Sequence, residues 1–322
     1  MAKVSFGIIG TNFISDKFVQ AASAVDGVNV RAIYSRTKER GDYFAKKHGI
    51  DKIFDDMDAF LSDESINSIY VASPTFLHKE HTIKALSYGK HVLCEKSLAT
   101  EYSEFLEMKN AAEKSGLVFL EAMRPAHDPA ISALISNVDK IGKVRRAHFE
   151  FCKYSSRYDK FKQGIIENAF DPEIKNSALH DIGIYPLWLA VRMFGEPRNV
   201  FSSSIKLSNG FDGAGEIILD YQEAVVSVSY SKITEGVSSS YIEGEDGTLL
   251  IDKISEPGII TLKMRDGTEQ TLFSSSCENN MVYEIASFRD MITGSIDYNP
   301  FLEVSESLMK TLDRVISSQK SE

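Results

Sequence analysis

The stretch Val4–Val19, VSFGIIGTNFISDKFV, decides the fold that the sequence predicts. Its first residues form a short apolar run that stops at Gly10, and the apolar residues Ile14 and Phe18 then recur at helical spacing. This pattern predicts a strand, a tight turn and the start of a helix. In doubly wound α/β proteins, such a turn aims the N–H groups of the helix N-terminus at a dinucleotide pyrophosphate. We therefore interpret residues 10–14 as a cofactor cradle.

The cradle departs from the usual G-x-G-x-x-G motif, because it keeps only the glycine of the tight turn. It reads Gly10-Thr11-Asn12-Phe13-Ile14-Ser15. Asn12 stands where the backbone would come closest to a phosphate. Asn tolerates a left-handed backbone better than most residues, and Ser15 is small enough for close packing of helix on strand. The alternative is a βα unit that holds no ligand.

Composition narrows the classes of protein to consider. The chain has 322 residues, of which 43% are hydrophobic and 25% charged, which suits two domains with proper cores. A net charge of −10 argues against nucleic acid and anionic membrane surfaces as partners. No apolar run approaches the ~20 residues of a membrane span. We expect small polar molecules as ligands.

Cysteine use and the N-terminus predict a cytoplasmic protein. Cys94, Cys152 and Cys277 are odd in number and widely spaced, which is typical of reduced thiols rather than of a disulfide framework. Residues 1–3 enter the first strand directly, so the sequence leaves no room for a signal peptide.

The order of elements predicts fold class α/β with two domains. Residues 1–123 alternate strand and helix patterns, which predicts a Rossmann domain with a doubly wound parallel sheet and its ligand at the carboxyl ends of the strands. Residues 124–322 predict an α+β domain on a mostly antiparallel open sheet. Its hairpin signals are Asn209-Gly210, Asp212-Gly213, Asp246-Gly247 and Asp266-Gly267.

Three blocks of sequence carry a family resemblance. The first contains Ala72-Ser73-Pro74-Thr75, Leu77-His78 and Gly89-Lys90-His91-Val92-Leu93-Cys94-Glu95-Lys96, the second is Asp181-Ile182-Gly183-Ile184-Tyr185, and the third is IEGEDGTL at 242–249. With them the chain resembles, nearly end to end, the Gfo/Idh/MocA family, and in particular its glucose–fructose oxidoreductase and dihydrodiol dehydrogenase branch. The resemblance implies a Rossmann domain and a C-terminal domain whose open sheet mediates a homodimer or homotetramer.

Lys96, Tyr185 and Asp181 are the candidate catalytic residues. Hydride exchange between a carbinol carbon and nicotinamide requires a proton to enter or leave the oxygen, so an acid or base must touch that oxygen. The resemblance implies that Lys96 is the catalytic lysine of the family's E-K-P motif, although Ser97 replaces the proline. Asp181 and Tyr185 are four residues apart, which on a helix places both on one face. The alternatives are a surface lysine, a helix-face aspartate and a core tyrosine.

The end of the second predicted strand favours NADP(H), with NAD(H) possible. A ribose 2′-hydroxyl is commonly bound there by a carboxylate, whereas a 2′-phosphate requires hydroxyls and arginine. This chain has Ser35, Arg36 and Arg40. The spacing of Ser35 and Arg40 matches that of NADP-using relatives. The alternative is an ordinary charged helix start.

The remaining candidates come from the loops and from the resemblance. Further cofactor contacts are Ser73, Pro74, Thr75, His78 and Glu95, of which His78 is implied to pack near the nicotinamide ribose. Weaker candidates for substrate contact are Arg124, His127, Lys153, Tyr154, Arg157 and His180. His78 and His81 lack the i, i+4 spacing of the H-E-x-x-H zinc motif, so we expect no metal.

These observations favour an NADP-dependent oxidoreductase that acts on a hydroxyl or carbonyl group of a sugar, polyol or related diol. Two alternatives stay open. One is a non-catalytic regulator that binds a dinucleotide, and the other is redox-assisted glycoside cleavage with a retained nicotinamide.

Overall fold

The computed structural model describes residues 4–319, which form two compact units. The first unit runs to Arg124 and also contains Asn279–Leu302. The second contains Pro125–Glu278 and the described residues from Glu303 onward. The sequence analysis divided the chain between residues 123 and 124, and the structure differs from it by including 279–302 in the first unit.

One sheet of six parallel strands, flanked by helices, forms the first unit. Its strands are β1 (Val4–Ile9), β2 (Val28–Tyr34), β3 (Lys52–Phe54), β4 (Ser68–Val71), β5 (His91–Glu95) and β6 (Phe119–Ala122). Its helices in this part of the chain are α1 (Phe13–Ser23), α2 (Lys38–His48), α3 (Met57–Ser62), α4 (His78–Ser87) and α5 (Tyr102–Ser115). The strand order is β3-β2-β1-β4-β5-β6.

This order reverses between β1 and β4, and such a switch point is where open α/β sheets bind ligands. All four residues of β4 are buried, as expected for an inner strand that is covered on both faces. The predicted Rossmann sheet is therefore confirmed. The structure adds β3 and α3, which the sequence analysis did not predict, because β3 has only three residues and two of them are exposed.

A second sheet, of eight strands, forms most of the second unit. Its strands are β7 (Val144–Cys152), β8 (Asn199–Lys206), β9 (Asp212–Asp220), β10 (Val225–Ser231), β11 (Ser240–Gly244), β12 (Gly247–Ile251), β13 (Ile259–Met264) and β14 (Glu269–Ser274). Its helices include α6 (Pro129–Ser136), α7 (Tyr158–Lys162) and α8 (Ile184–Phe194). The order is β14-β13-β12-β11-β7-β10-β9-β8. Only β7 and β10 pair in parallel, so the predicted mostly antiparallel sheet is confirmed.

The hairpin signals of this sheet meet different outcomes. Asn209-Gly210 and Asp266-Gly267 lie in turns, with φ of +82° at Gly210 and +90° at Gly267. The prediction of a turn at Asp212-Gly213 was wrong, because both residues belong to β9. The Asp212 side chain is buried there and accepts a hydrogen bond of 3.0 Å from the Tyr230 hydroxyl. This bond links β9 to β10.

Two helices complete the described chain, α9 (Met281–Ile292) and α10 (Asn299–Gln319). Met281, Ile285 and Phe288 of α9 are buried in the same apolar cluster as Phe6 and Phe18 of the first unit. The Phe288 and Phe6 rings stack with centroids 5.6 Å apart. This apolar face explains why 279–302 belongs to the first unit. Within residues 4–319, no helix is both long and apolar enough to cross a membrane.

Candidate active site

The turn after β1 has the backbone expected of the cofactor cradle at one position, Gly10. Its φ is +110°, in the region that favours glycine, and a Cβ there would lie 2.5 Å from the carbonyl oxygen of Ala72. Any other residue would push apart the ends of β1 and β4, which flank the switch point. Glycine at this position is therefore required by the close packing of the turn on the chain that follows β4.

Asn12, which stands where the motif would bring the backbone closest to a phosphate, caps α1. Its φ of −106° and ψ of −178° are extended. Its side-chain oxygen accepts from the N–H groups of Ile14 at 3.1 Å and Ser15 at 3.2 Å, and its side-chain nitrogen donates to Ala72 at 2.9 Å. An Asn side chain of this kind satisfies N–H groups that would otherwise face an anion. Two of the donors assigned to the pyrophosphate are therefore already bonded.

Thr11 and Phe13 lie at the mouth of the same turn. Phe13 is the first residue of α1, and 66% of its surface is exposed. Ser15 is buried and donates from its hydroxyl to the Gly10 carbonyl at 2.9 Å, which supports the predicted close packing of helix on strand.

The end of β2 presents two exposed arginines, Arg36 and Arg40. Ser35 beside them is buried, and its hydroxyl donates to the Thr37 carbonyl at 2.9 Å. The positive charge of Arg36 reaches His81 on α4, where it adds to burial in lowering the pKa of that imidazole to about 4. An anion bound among these cations would relieve their mutual repulsion.

His78 joins the two loops that follow β4 and β5. It is buried at the start of α4, with Nε2 2.8 Å from the Ser73 carbonyl oxygen and Nδ1 2.9 Å from the Ser97 carbonyl oxygen. Burial lowers its pKa to about 4, so the ring is neutral at pH 7. A neutral imidazole donates one hydrogen bond, from whichever nitrogen carries the proton. His78 therefore fixes the loop backbone, together with Pro74 and the 3-10 turn Thr75–Leu77.

Glu95 ends β5, directly before the candidate catalytic residue Lys96. Its carboxylate accepts a hydrogen bond from the Tyr70 hydroxyl. Burial raises the pKa of the Glu95 carboxyl, and the charges of Lys96 and Arg124 oppose that rise. Lys96 is partly buried, and the peptide bond between it and Ser97 is cis. Arg124 is a buried cation whose charge acts on Glu95, and its contact with a substrate stays a prediction.

In the second unit, Asp181 forms an ion pair with Lys232. The distance from Asp181 Oδ2 to Lys232 Nζ is 2.8 Å, and the exposed fractions of the two side chains are 38% and 5%. Lys232 also donates to the Ala169 carbonyl at 2.6 Å and lies 4.9 Å from the centre of the Phe170 ring. A buried ammonium of this kind holds the carboxylate in place through a charge-assisted hydrogen bond.

Tyr185 and Asp181 belong to different kinds of helical turn. A π-helical turn spans Leu179–Gly183 and α8 follows at Ile184, so the regular helix assumed for the four-residue spacing does not extend back to Asp181. Pro186 lacks the N–H group that an unbroken α-helix would require there. Tyr185 is 5% exposed, and its ring lies 5.8 Å from that of Phe151. The two side chains therefore differ in exposure.

Three of the other candidate substrate contacts, His180, Tyr154 and Arg157, have local partners. His180 Nδ1 lies 2.7 Å from the Ser177 hydroxyl. The Tyr154 hydroxyl donates to Asp159 at 2.7 Å and accepts from Lys162 at 2.8 Å, and Arg157 pairs with Glu167 at 3.4 Å. Lys153 is exposed, and burial lowers the pKa of His127 to about 3.

Sequence reasoning missed Lys232 and Tyr70. Lys232 follows the last residue of β10, and nothing in its neighbourhood distinguishes it from a surface lysine. Tyr70 lies in a strand that reads as continuously apolar, so its hydroxyl gave no signal. Among residues 4–319, no group of three or more His, Cys, Asp or Glu side chains is placed to hold a metal ion.

Two family models match the chain. Residues 4–123 match the oxidoreductase family with an NAD-binding Rossmann fold, GFO_IDH_MocA. Residues 133–250 match the Gfo/Idh/MocA C-terminal domain. Together they cover most of the sequence, and the resemblance read from its motifs is confirmed.

Individual relatives extend nearly end to end. The scyllo-inositol 2-dehydrogenase (NADP(+)) IolU of Bacillus subtilis (strain 168) is 39% identical over 90% of this chain and 88% of its own. The trans-1,2-dihydrobenzene-1,2-diol dehydrogenase of Mus musculus is 25% identical over 94% and 92%. The structure of KijD10, a 3-ketoreductase from Actinomadura kijaniata in complex with NADP and TDP-benzene, superposes with a TM-score of 0.87 at 22% identity, over 98% of both chains. At 22% identity, the similarity to KijD10 shows a shared fold and no more.

Proposed function

The chain belongs to the Gfo/Idh/MocA family of oxidoreductases, and on that premise we propose that it is an NADP-dependent oxidoreductase of polyols, sugars or related diols. The observation that carries the proposal is the 39% identity, over 90% of the chain, to an NADP-dependent scyllo-inositol dehydrogenase. The reaction transfers a hydride between the nicotinamide and a hydroxyl or carbonyl carbon. Inositols are therefore the first substrates to test.

The first unit supplies the proposed cofactor contacts. The backbone around Gly10, Thr11 and Asn12 faces the pyrophosphate, and Arg36 and Arg40 bind the 2′-phosphate. The support is a positive φ at Gly10, with no room for a Cβ, and two exposed guanidinium groups at the end of β2. Arginine binds phosphate through paired hydrogen bonds, which favours NADP(H) over NAD(H).

Lys96 is the proposed acid/base. Bound NADP supplies the hydride acceptor or donor, and the chain must move the accompanying proton at the substrate oxygen. The Lys96 ammonium stands next to the Glu95 carboxylate, which Tyr70 orients by a hydrogen bond. In polyol oxidation the uncharged amine takes the hydroxyl proton, and in carbonyl reduction the ammonium returns it.

Asp181 and Tyr185 are the proposed substrate-side groups of the second unit. The Asp181 carboxylate, held by Lys232 and 38% exposed, accepts a hydrogen bond from a substrate hydroxyl. The Tyr185 phenol gives a second group that can pass a proton. A polyol presents several hydroxyls, so this pairing suits that substrate class.

The cofactor proposal is tested by titrating the purified protein with NADPH and with NADH while following intrinsic fluorescence. We expect NADPH to bind more tightly than NADH, and Arg40→Ala to remove that difference. Arg31→Ala is the matched control, because Arg31 is also exposed but lies within β2 and bonds to Asn29. The proposal fails if neither nucleotide binds at millimolar concentration.

We also propose self-association through one face of the eight-stranded sheet. Phe201 and Ile205 of β8 are 60% and 59% exposed, and Ile218, which pairs with Phe201 across the strands, is 39% exposed. Adjacent exposed apolar side chains mark association surfaces. Sedimentation should give a dimer or tetramer that Phe201→Ser weakens, whereas Phe13→Ser should leave it intact. A monomeric wild-type protein would contradict this.

The cytoplasm is the proposed compartment. Cys94, Cys152 and Cys277 are all free thiols, and Cys94 is buried. Free thiols persist where the surroundings are reducing. Fractionation of cells that produce the protein, with antibody detection, tests the location.

A further inference from the structure

Glu284 is a completely buried carboxyl group in the first unit. It lies in the first turn of α9, its exposed fraction is 0%, and neither of its oxygens has a hydrogen-bond partner in the part of the chain that the structure describes. A buried polar group without a partner is costly, so each one calls for an explanation. The proposed function makes no use of this residue.

The groups that act electrostatically on Glu284 are those around the candidate catalytic lysine. Glu95 on β5 and Arg124 after β6 both act on Glu284, and Glu284 in turn acts on Tyr70 on β4. We call Tyr70, Glu95, Arg124 and Glu284 the buried cluster. Its neighbours Phe6 and Phe18, from β1 and α1, are apolar.

Two carboxyl groups close together in an apolar interior cannot both be ionised at low cost. Glu95 is the more favourable site for the negative charge. Its carboxylate accepts a hydrogen bond from the Tyr70 hydroxyl and is stabilised by the positive charge of Lys96. Glu284 accepts no hydrogen bond from residues 4–319, and burial raises its pKa far above the usual range. The N-terminus of α9 opposes this rise, but a helix terminus contributes less than full burial costs.

We propose that Glu284 limits the negative charge near Lys96 by remaining protonated, which leaves Glu95 as the carboxylate of the buried cluster. Glu284 stays an uncharged carboxylic acid, so the buried cluster holds one carboxylate, and the two cations Lys96 and Arg124 share it. An ionised Glu284 would give each cation its own carboxylate and hold the Lys96 ammonium more firmly. A protonated Glu284 therefore makes it easier for the Lys96 ammonium to release its proton. This inference rests on the proposed role of Lys96 as acid/base.

The first test measures stability and needs no substrate. A carboxyl group whose folded-state pKa is raised stabilises the fold below its unfolded pKa, and that stability is lost as pH rises toward the folded value. We therefore expect Glu284→Gln to unfold at a higher temperature than wild type at pH 8, by a margin that shrinks toward pH 5. Glu64→Gln, a matched change at an exposed carboxyl in the same unit, should follow wild type.

A reversed trend would overturn the proposal. If wild type becomes more stable than Glu284→Gln as pH rises, then Glu284 is ionised and paired. Glu284→Met provides a second reading if the amide variant does not fold, because an apolar side chain of similar length should show the same sign.

The second test measures the pH profile of kcat for polyol oxidation with NADP+. Glu95→Gln should move the acid limb to lower pH by about one unit, since it removes the charge that holds the ammonium. Glu284→Gln should leave the position of that limb where it is in wild type. Ile285→Val, which loosens the same helix without changing charge, controls for packing. A downward shift in Glu284→Gln as large as that in Glu95→Gln would contradict the proposal.

The two tests separate the inference from the function on which it rests. If no polyol is oxidised, the proposed function fails, while the stability measurement still reports the charge of Glu284. If polyols are oxidised but wild type gains stability over Glu284→Gln at high pH, only the inference fails.

Discussion

The Asn12 side chain already accepts from the N–H groups of Ile14 and Ser15, which are two of the donors expected to face the pyrophosphate. Asn12→Gly restores the second glycine of the usual motif and releases both donors. We expect it to bind NADPH about five-fold more tightly, the equivalent of one net hydrogen bond. Glycine is a tolerable cap, so stability should fall by only about 0.5 kcal/mol. Fluorescence titration and urea unfolding measure the two effects.

The control for this prediction is Asp56→Gly. Asp56 caps α3 by accepting from the N–H group of Ala59 at 2.7 Å, away from the cradle. It should cost similar stability without changing NADPH affinity. Weaker NADPH binding by Asn12→Gly would mean that Asn12 itself contacts the cofactor.

We expect Lys232 to contribute both to the stability of the fold and to the position of the Asp181 carboxylate. Lys232→Met keeps the apolar stem but removes the ion pair, the bond to Ala169 and the contact with the Phe170 ring. We expect a loss of about 2 kcal/mol in unfolding free energy and a fall in kcat/KM of about ten-fold. Urea unfolding and steady-state kinetics check these values.

Lys263→Met is the matched control. Lys263 pairs with Glu269 at 3.1 Å, and the two side chains are 48% and 56% exposed, so the loss should be near zero. An unchanged kcat/KM in Lys232→Met would show that Asp181 needs no cation to hold it.

At the scale of residues, the sequence predicted which positions in the turn are important more accurately than it predicted what each side chain does there. Gly10 has the predicted backbone, since a positive φ is the property that glycine supplies. Asn12 stands where the backbone was expected to approach a phosphate, and its short polar side chain satisfies helix N–H groups, which is a common use of Asn at a helix start. Little in the sequence indicated that Lys232 or Glu284 would be buried. Glu284 does lie on the apolar face of α9, three residues after Met281 and four before Phe288, and burial follows from that spacing.

Between elements, His78 links the loops after β4 and β5, and its protonation should govern how firmly they are joined. Burial lowers its pKa from 6.5 to about 4, so the unfolded chain takes up a proton in this range and the folded protein does not. Stability is therefore full above pH 6.5 and is lost as pH falls toward 4.

We expect wild type to lose about 2 kcal/mol more than His78→Gln between pH 7 and pH 5. Gln keeps one hydrogen bond to the loop backbone but does not titrate. Urea unfolding at the two pH values measures the difference, and buried His127, present in both proteins, cancels from it. Equal losses in the two proteins would indicate that His78 is charged when folded.

Helices and strands with clear periodicity could be predicted from the sequence. Strand β2 alternates apolar and polar residues up to Ala32, and β5 is a short apolar run between His91 and Glu95. The three-residue β3 and the π-helical turn at Leu179–Gly183 could not be predicted. Their conformations depend on the residues that pack against them from elsewhere in the chain. The spacing of apolar residues within each segment carries no information about that packing.

At the scale of the whole molecule, the return of 279–302 to the first unit departs from the predicted division of the chain. The amphipathic pattern of α9 predicted a helix, but a buried face does not specify the sheet it covers. This segment contributes Glu284 to the buried cluster. A truncation at residue 278 would remove part of the core of the first unit.

The central claim is that Lys96 moves the proton in an NADP-linked oxidation of a polyol, and the most direct test is NADPH formation from scyllo-inositol by wild type and Lys96→Met. We predict turnover by wild type and a fall in kcat/KM of about 10²- to 10⁴-fold in Lys96→Met, with NADPH binding retained. Lys114→Met, at an exposed lysine on α5, should match wild type. Equal turnover by Lys96→Met and wild type, or no NADPH from inositols, sugars and diols alike, would contradict the claim.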